Sequence, residues 1–158
     1  GVPELLSVTP ETLERGYIAG LPLQEARPRE PEFFRLAAHL LRRLHALNVV
    51  HNDLAKEPNI LVRADERPAF IDFQLALSSR TRGRIFRALA YEDLRHLLKH
   101  KRTYCAGALT RREHKILENP SWPSRLAKNT VKPLYLFVTR RLLGWADREG
   151  AADRGRQA

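Results

Sequence analysis

The sequence has little cysteine, no methionine, few glycines and no long apolar run. One cysteine, Cys105, stands among the 158 residues, and a single thiol cannot form a disulfide within the chain. This excludes a disulfide scaffold and favours a reducing compartment, so we expect a cytoplasmic protein. Stretches without charge fall far short of the ~20 residues of a membrane-spanning helix, and no secretory signal opens the sequence. These absences exclude an integral membrane protein, a collagen and a coiled coil.

Acidic residues are scarce relative to basic ones. The 28 Lys and Arg against 18 Asp and Glu give a net charge of +10. Such an excess predicts a polyanionic partner, either nucleotide, nucleic acid, lipopolysaccharide or an anionic membrane. What is present, 43% hydrophobic and 29% charged residues, is typical of a folded globular domain with one core.

Apolar spacing predicts a mixture of helices and short strands. Residues 5–8 and 13–18 read as strands, and residues 19–22 as a turn or connector. An amphipathic helix is predicted over residues 32–47, with Pro31 in its first turn. A hairpin follows, with strands at residues 60–62 and 69–71.

The second half of the chain is basic and helical. Residues 80–118 contain 11 Lys or Arg against 4 Asp or Glu, and their apolar stripe is expected to pack on the first helix. They have few aromatic residues for stacking on bases, which disfavours nucleic acid. A last helix is predicted near residues 130–147, packing on the other helices or lying on a membrane surface, followed by a flexible tail at 148–158.

Polar side chains gather around the predicted hairpin. His51 and Asp53 precede it in a loop, Asn59 stands at its entry, and Asp72 follows its second strand. Because a hairpin returns the chain to its starting edge, we expect the three oxygen-bearing side chains to converge there. Such ligands suit Mg²⁺, which keeps several waters and also binds phosphate. The pattern therefore predicts a magnesium and phosphate site.

This ordered set resembles the catalytic half of the protein-kinase-like fold. His51-Asn52-Asp53-Leu54 is similar to the His-Arg-Asp-Leu catalytic loop, and Ile71-Asp72-Phe73-Gln74 to the segment carrying Asp-Phe-Gly. The helix end at residues 44–50 is similar to the helix before that loop, and residues 13–23 resemble the hinge between the two lobes. These motifs are most similar to those of the bacterial RIO-like and lipopolysaccharide-core kinases. The resemblance covers about residues 1–100 and is specific through residues 44–76.

The resemblance implies an α+β, protein-kinase-like fold, mostly an α-helical C-terminal lobe with a short β-hairpin and hinge strands. Residues 1–23 would be remnant N-terminal-lobe strands and the hinge, and residues 24–147 the C-terminal lobe. The implied reaction moves the γ-phosphate of Mg·ATP to a hydroxyl of a protein, sugar or lipopolysaccharide acceptor. Its implied location is the cytoplasm, with attachment at the inner membrane left open.

The resemblance also implies roles for individual residues around the phosphates. Asp53 would accept or orient the proton of the attacking hydroxyl, and Lys56 would place a cation near the transferred phosphoryl group. Asn59 and Asp72 would hold the Mg²⁺ that bridges the phosphates of ATP.

Further roles are implied around the adenine and behind the loop. Leu61 would form the floor under the adenine, and the Gly16 carbonyl and Ile18 amide would meet its edge. Asp93 resembles the buried helix aspartate that caps backbone amides of the catalytic loop.

The sequence departs from the family pattern in several places. Asp53 and Asn59 are six residues apart, one more than in most protein kinases, while Asn59 and Asp72 keep the usual separation. Gln74 replaces a glycine. Only about twenty residues separate Asp72 from Asp93, without Ala-Pro-Glu, which favours a small or lipid-linked acceptor over a peptide.

The sequence also contains no Gly-x-Gly-x-x-Gly, and about fifteen residues precede the hinge. We therefore expect half of an active site, from a truncated gene or a fragment. Two alternatives stay open: a pseudokinase or regulatory module, and a basic domain that binds nucleic acid or a membrane surface.

Overall fold

Three small antiparallel sheets and four helices are described by the computed structural model, which covers residues 1–9 and 11–121. The predicted helix at 130–147 and tail at 148–158 lie outside these residues. The helices are α1 (Leu23–Ala26), α2 (Pro31–Ala46), α3 (Arg84–Tyr104) and α4 (Arg111–Glu118). The strands are β1 (Leu5–Val8), β2 (Leu13–Arg15), β3 (Leu21–Pro22), β4 (Val49–Val50), β5 (Ile60–Val62), β6 (Pro68–Phe70) and β7 (Leu77–Ser78). This mixture confirms the predicted α+β class.

Helix α2 forms where the apolar spacing predicted it, within one residue at each end. Pro31 occupies its first turn, where a missing N–H breaks no helical hydrogen bond. The inward side chains recur at three- and four-residue steps and include Phe33, Phe34 and Leu41, all nearly fully buried. The helix is therefore stabilised mainly by its apolar face.

The core lies between α2, α3 and the β5–β6 hairpin. Phe34 and Leu41 from α2 meet Ile60 and Phe70 from the hairpin and Leu97 from α3 in one cluster. The predicted packing of the basic helical region on the first helix is thus confirmed. Within the described ranges, no helix combines the length and apolar composition required to cross a membrane.

The strands differ slightly from the prediction. β1 and β2 pair as an exposed antiparallel hairpin, and β2 ends at Arg15 rather than at residue 18. The residues predicted as a turn or connector, 19–22, include the two-residue strand β3, which pairs with β5. The predicted hairpin is present as β5 and β6, with its second strand one residue earlier.

Gly20 lies where β3 comes against β5, which leaves no room for a side chain. A Cβ atom there would be 2.9 Å from the Val62 carbonyl oxygen and 3.2 Å from Cβ of Leu61. Because the nearest atom belongs to backbone within a sheet, it cannot move aside without disturbing the pairing. Gly20 therefore allows the chain that follows β2 to join the sheet.

Substitution of Gly20 by alanine is expected to destabilise the protein by about 1–3 kcal/mol, since it overpacks the β3–β5 contact. The melting temperature should fall by several degrees. Gly107→Ala is the matched control, because a Cβ there meets nothing within 4 Å. Equal melting temperatures for the two variants would contradict this account of Gly20.

Candidate active site

The first residues of the loop at 51–59 are held by hydrogen bonds to a single buried carboxylate. Asp93 of α3 is 1% exposed, and it accepts hydrogen bonds from the backbone N–H groups of His51 and Asn52, both at 2.8 Å. His45 Nε2 lies 3.2 Å from Oδ2 of the same carboxylate. Charge-assisted bonds of this kind are about twice as strong as neutral ones. The role expected for Asp93 is thus confirmed, and α3 fixes the start of the loop.

Asparagine is a suitable residue at position 52, where the backbone turns so that two consecutive N–H groups bind Asp93. The Asn52 backbone has φ 64°, in the left-handed region that asparagine enters more readily than most residues. The turn at Asn52 is what lets consecutive N–H groups reach the two oxygens of Asp93.

His51 joins the loop to the segment that carries Asp72. The ring is fully buried, and Nε2 donates to the Ile71 carbonyl at 3.0 Å, since a carbonyl can only accept. Its ring also lies 4.5 Å from that of Phe73, centroid to centroid. Burial lowers the pKa of His51, although the Ile71 carbonyl and the nearby carboxylates of Asp93, Asp53 and Asp72 oppose this. His51 is therefore a neutral structural link between two parts of the site.

Asp53 and Asn59 form a hydrogen-bonded pair. The Asn59 side chain is buried, and its Nδ2 donates to the backbone carbonyl and to Oδ2 of Asp53, each at 2.9 Å. Lys56 Nζ lies 3.1 Å from the same Oδ2. The structure thus brings together three of the predicted site residues, and the Asn59 amide oxygen is the atom left for a cation.

Asp72 is placed beside this pair by the hairpin. Ile60 pairs with Phe70, and the Ile71 N–H donates to the Asn59 carbonyl at 3.0 Å, so Asp72 leaves the sheet next to Asn59. Its backbone has φ 61° and ψ 69°, a left-handed conformation that aspartate tolerates. Within the described part of the chain, Asp72 forms no ion pair with a cation.

The donor set of Asn59 and Asp72 fits Mg²⁺ rather than an ion held by protein alone. Among residues 1–9 and 11–121, no group of three or more His, Cys, Asp or Glu side chains could hold a metal. Mg²⁺ commonly takes one or two protein ligands and completes its shell with waters and phosphate oxygens. The Asp72 carboxylate and the Asn59 amide oxygen would be two such ligands.

Leu61 lies on the face of β5 away from the core. Ile60 belongs to the core cluster and Val62 packs against it, so the alternation of a strand directs Leu61 to the opposite face. There it is 6% exposed, across from the buried Ala69. This position is compatible with the predicted floor under an adenine.

Gly16 and Ile18 lie farther along the chain, in the segment between β2 and β3. They line a cavity of about 500 Å³ together with Arg63 and Asp65 of the hairpin turn. This cavity is not lined by Leu61, Asp53 or Asn59. The contact of Gly16 and Ile18 with an adenine therefore stays a prediction.

Sequence reasoning missed a second attachment of the loop to α3. Tyr104 donates its hydroxyl hydrogen to Oε2 of Glu57 at 2.8 Å, and His100 Nδ1 lies 3.5 Å from Oε1. His100 Nε2 donates to the Leu54 carbonyl at 2.8 Å. Burial, followed by the contact with Glu57, raises the pKa of Tyr104 to about 12. Glu57 lies where the loop has its extra residue.

The sequence did contain a signal for this attachment. Asp93, His100 and Tyr104 are spaced by seven and four residues, which places them on one face of a helix. Asp93 contacts the beginning of the loop, His100 contacts Leu54 in its middle, and Tyr104 contacts Glu57 near its end. We call these three residues the α3 clamp.

Replacing Asp93 with asparagine is expected to destabilise the protein by about 1–3 kcal/mol. An amide has one acceptor oxygen, so either the His51 or the Asn52 N–H loses its partner inside the protein. Urea denaturation of the variant and the wild type measures the difference. Unchanged stability would show that the two N–H groups find other acceptors, and the proposed anchoring by Asp93 would then be wrong.

Stability is expected to fall as the pH drops from about 6.5 to 5. Burial lowers the pKa of His51 and of His96 below the ordinary 6.5, so the unfolded chain binds protons that the folded chain does not. Each histidine contributes at most about 1.4 kcal/mol per pH unit. Glu92 and Glu113, whose pKa values lie below the ordinary 4.5, lose their contribution only at lower pH.

Urea denaturation at several pH values tests this dependence. His96→Gln should make the decline between pH 6.5 and 5 shallower, because one of the two groups no longer titrates. If the stability of the wild type rises as the pH drops from 6.5 to 5, the assignment of both histidines as neutral in the folded state is contradicted.

Comparison with known proteins gives similarity to solved structures. No family model and no curated protein matches the chain. Its structure is similar to the Rio2 kinase of the Rio2 kinase–ADP/Mg²⁺–phosphoaspartate complex from Chaetomium thermophilum, with a TM-score of 0.49 and 19% sequence identity. The match covers 75% of this chain and 39% of the Rio2 chain, so this chain spans less than half of that kinase. The similarity is one of fold alone, and closeness to lipopolysaccharide kinases stays a prediction.

Proposed function

We propose that this chain forms the catalytic-loop side of a phosphotransferase, which moves the γ-phosphate of Mg·ATP to a hydroxyl group. The observation that carries the proposal is the hydrogen-bonded pair of Asp53 and Asn59, with Asp72 placed beside it by the hairpin. In phosphoryl transfer, positioning and charge neutralisation supply most of the catalysis. A carboxylate and an amide oxygen on the loop at residues 51–59, with a second carboxylate after β6, can supply both.

Asp53 is the proposed base. The contacts from Asn59 Nδ2 and Lys56 Nζ both fall on Oδ2, so Oδ1 is the oxygen that can accept the hydrogen of an attacking hydroxyl. The Asn59 amide holds the carboxylate in one orientation, since it also binds the Asp53 backbone carbonyl. Asp53 would thus orient the hydroxyl and take up its proton as the new bond to phosphorus forms.

Asn59 and Asp72 are the proposed ligands of Mg²⁺. When bound, the ion would neutralise charge on the phosphate oxygens. Asp72 brings a negative charge that no cation of the described chain offsets, and Asn59 brings a neutral oxygen. Lys56, whose side chain is 63% exposed, is long enough to follow the transferred group while staying near Asp53.

The finer architecture belongs to the same proposal. Residues 1–23 would correspond to strands of an N-terminal lobe and the hinge, and the helices from residue 24 onward to a C-terminal lobe. The segment between Asp72 and Asp93 is short, which favours a small or lipid-linked hydroxyl over a peptide. The lipopolysaccharide or sugar acceptor implied by the resemblance agrees with this short segment.

The first test is ATP binding by the chain with and without Mg²⁺, by thermal shift and titration. A ligand that binds only the folded state raises the melting temperature. We expect a rise that requires Mg²⁺, is lost in Asp72→Ala and persists in Asp53→Ala. Glu118→Ala, at an exposed residue that ends α4, is the control and should behave like the wild type.

Phosphate transfer separates the two aspartates further. Asp53→Ala should lower the rate constant for transfer by about 10²–10⁴-fold, the usual contribution of a positioned base. Nucleotide binding that survives Asp72→Ala would contradict the ligand assignment, and full turnover by Asp53→Ala would contradict the base. Binding by the wild type without any transfer would favour the pseudokinase alternative.

A further inference from the structure

The surface beside the candidate site combines exposed aliphatic side chains with arginines. Leu47, Leu75, Leu77 and Ile85 are 73%, 53%, 49% and 64% exposed. Four exposed arginines accompany them in the same stretch of chain: Arg80, Arg82, Arg84 and Arg87. We call these eight residues the α3-entry surface. Large aliphatic side chains exposed in a group require an explanation, whereas single ones do not.

Backbone pairing makes this surface continuous and places it next to the catalytic loop. Leu77 pairs with Val50, which lies three residues before Asp53. The Ser79 N–H donates to the Asn48 carbonyl at 3.0 Å. Arg82 donates to the Ala46 carbonyl and to Asn48 Oδ1, both at 2.8 Å. The end of α2, the β4–β7 pair and the beginning of α3 therefore form one face.

The charge of the α3-entry surface is of one sign. Residues 73–91 contain the four arginines and no Asp or Glu. The first turn of α3 has no acidic residue and begins at Gly83 without a side-chain cap. Basic residues at a helix N-terminus oppose the helix dipole, so Arg84 is unfavourable for the helix itself. An anionic partner bound to Arg84 would offset this unfavourable interaction with the helix dipole.

We propose that the α3-entry surface docks the protein on an anionic lipid bilayer. Aliphatic side chains among arginines match a headgroup region with acyl chains beneath it. Proteins usually bind single-stranded nucleic acid by stacking bases on exposed aromatic rings, whereas in residues 73–91 Phe86 is buried and Phe73 and Tyr91 are half-buried. The docking does not depend on phosphate transfer, so it goes beyond the proposed function.

Vesicle binding by the full chain tests this docking. The probes are vesicles of phosphatidylcholine alone and of phosphatidylcholine mixed with phosphatidylglycerol, measured by co-sedimentation. We expect binding to the mixed vesicles that weakens with salt, and much weaker binding to phosphatidylcholine alone. Each basic residue near an anionic surface contributes about 1 kcal/mol, which corresponds to roughly fivefold in the partition coefficient.

Two double variants that lose the same charge distinguish the effect of arginine position on vesicle binding from the effect of net charge. Arg84→Gln with Arg87→Gln should weaken binding by roughly 25-fold, since two basic residues leave the surface. Arg111→Gln with Arg112→Gln removes the same charge from exposed positions on α4, and should weaken binding by less than about fivefold. Equal losses in the two double variants would overturn the proposal, because binding would then follow net charge alone.

A second pair of variants tests the aliphatic part. Ile85→Ser should weaken binding at high salt, where the electrostatic contribution is screened. Leu13→Ser, at a residue 63% exposed on β2, is the control and should leave binding unchanged. Equal effects of the two would contradict insertion of the surface into lipid. Displacement of the protein from vesicles by single-stranded RNA at equal salt would overturn the choice of a bilayer.

Discussion

The candidate site depends on one buried carboxylate, that of Asp93. Taking a charge out of water is costly unless hydrogen bonds replace the lost hydration. Here the replacement comes from consecutive N–H groups of the loop, at His51 and Asn52, with His45 beside them. The requirement to solvate Asp93 therefore fixes where the loop begins, and Asp53 follows immediately. That anchor, together with the contacts of His100 and Tyr104, gives Asp53 a defined position.

The extra residue of the loop is accommodated by the same helix. A longer loop loses more conformational entropy when it is ordered, and it needs contacts to offset this. Glu57 lies in a short 3₁₀ turn, and its carboxylate is bound by Tyr104 and faces His100. Leu54 anchors the middle of the loop from within the core. The α3 clamp thus turns an irregular segment of nine residues into a rigid support.

Much of this arrangement could be predicted from the sequence, and the limits have physical reasons. The three-and-four spacing in α2 gives a strong signal because sixteen residues contribute to it. Strand β3 has two residues, too few for any alternation, and its pairing with β5 depends on the absence of a side chain at Gly20. Asp93 was identified through resemblance. Glu57, His100 and Tyr104 were missed because their contact joins positions more than forty residues apart.

Helix α3 also connects the loop at residues 51–59 to the α3-entry surface. Its 21 residues span about 31 Å, at 1.5 Å per residue. Arg84 begins the helix and Asp93 lies nine residues later, about 14 Å along the axis. The arginines and the loop anchor therefore belong to one rigid element, and any surface that binds the first turn of α3 is held at a fixed distance from Asp53. A hydroxyl carried by a lipid headgroup could then be presented at the loop by docking alone, whereas a freely diffusing acceptor would gain nothing from the α3-entry surface. If both proposals hold, phosphate transfer and docking on a bilayer, the position of the arginines favours an acceptor that resides at the membrane.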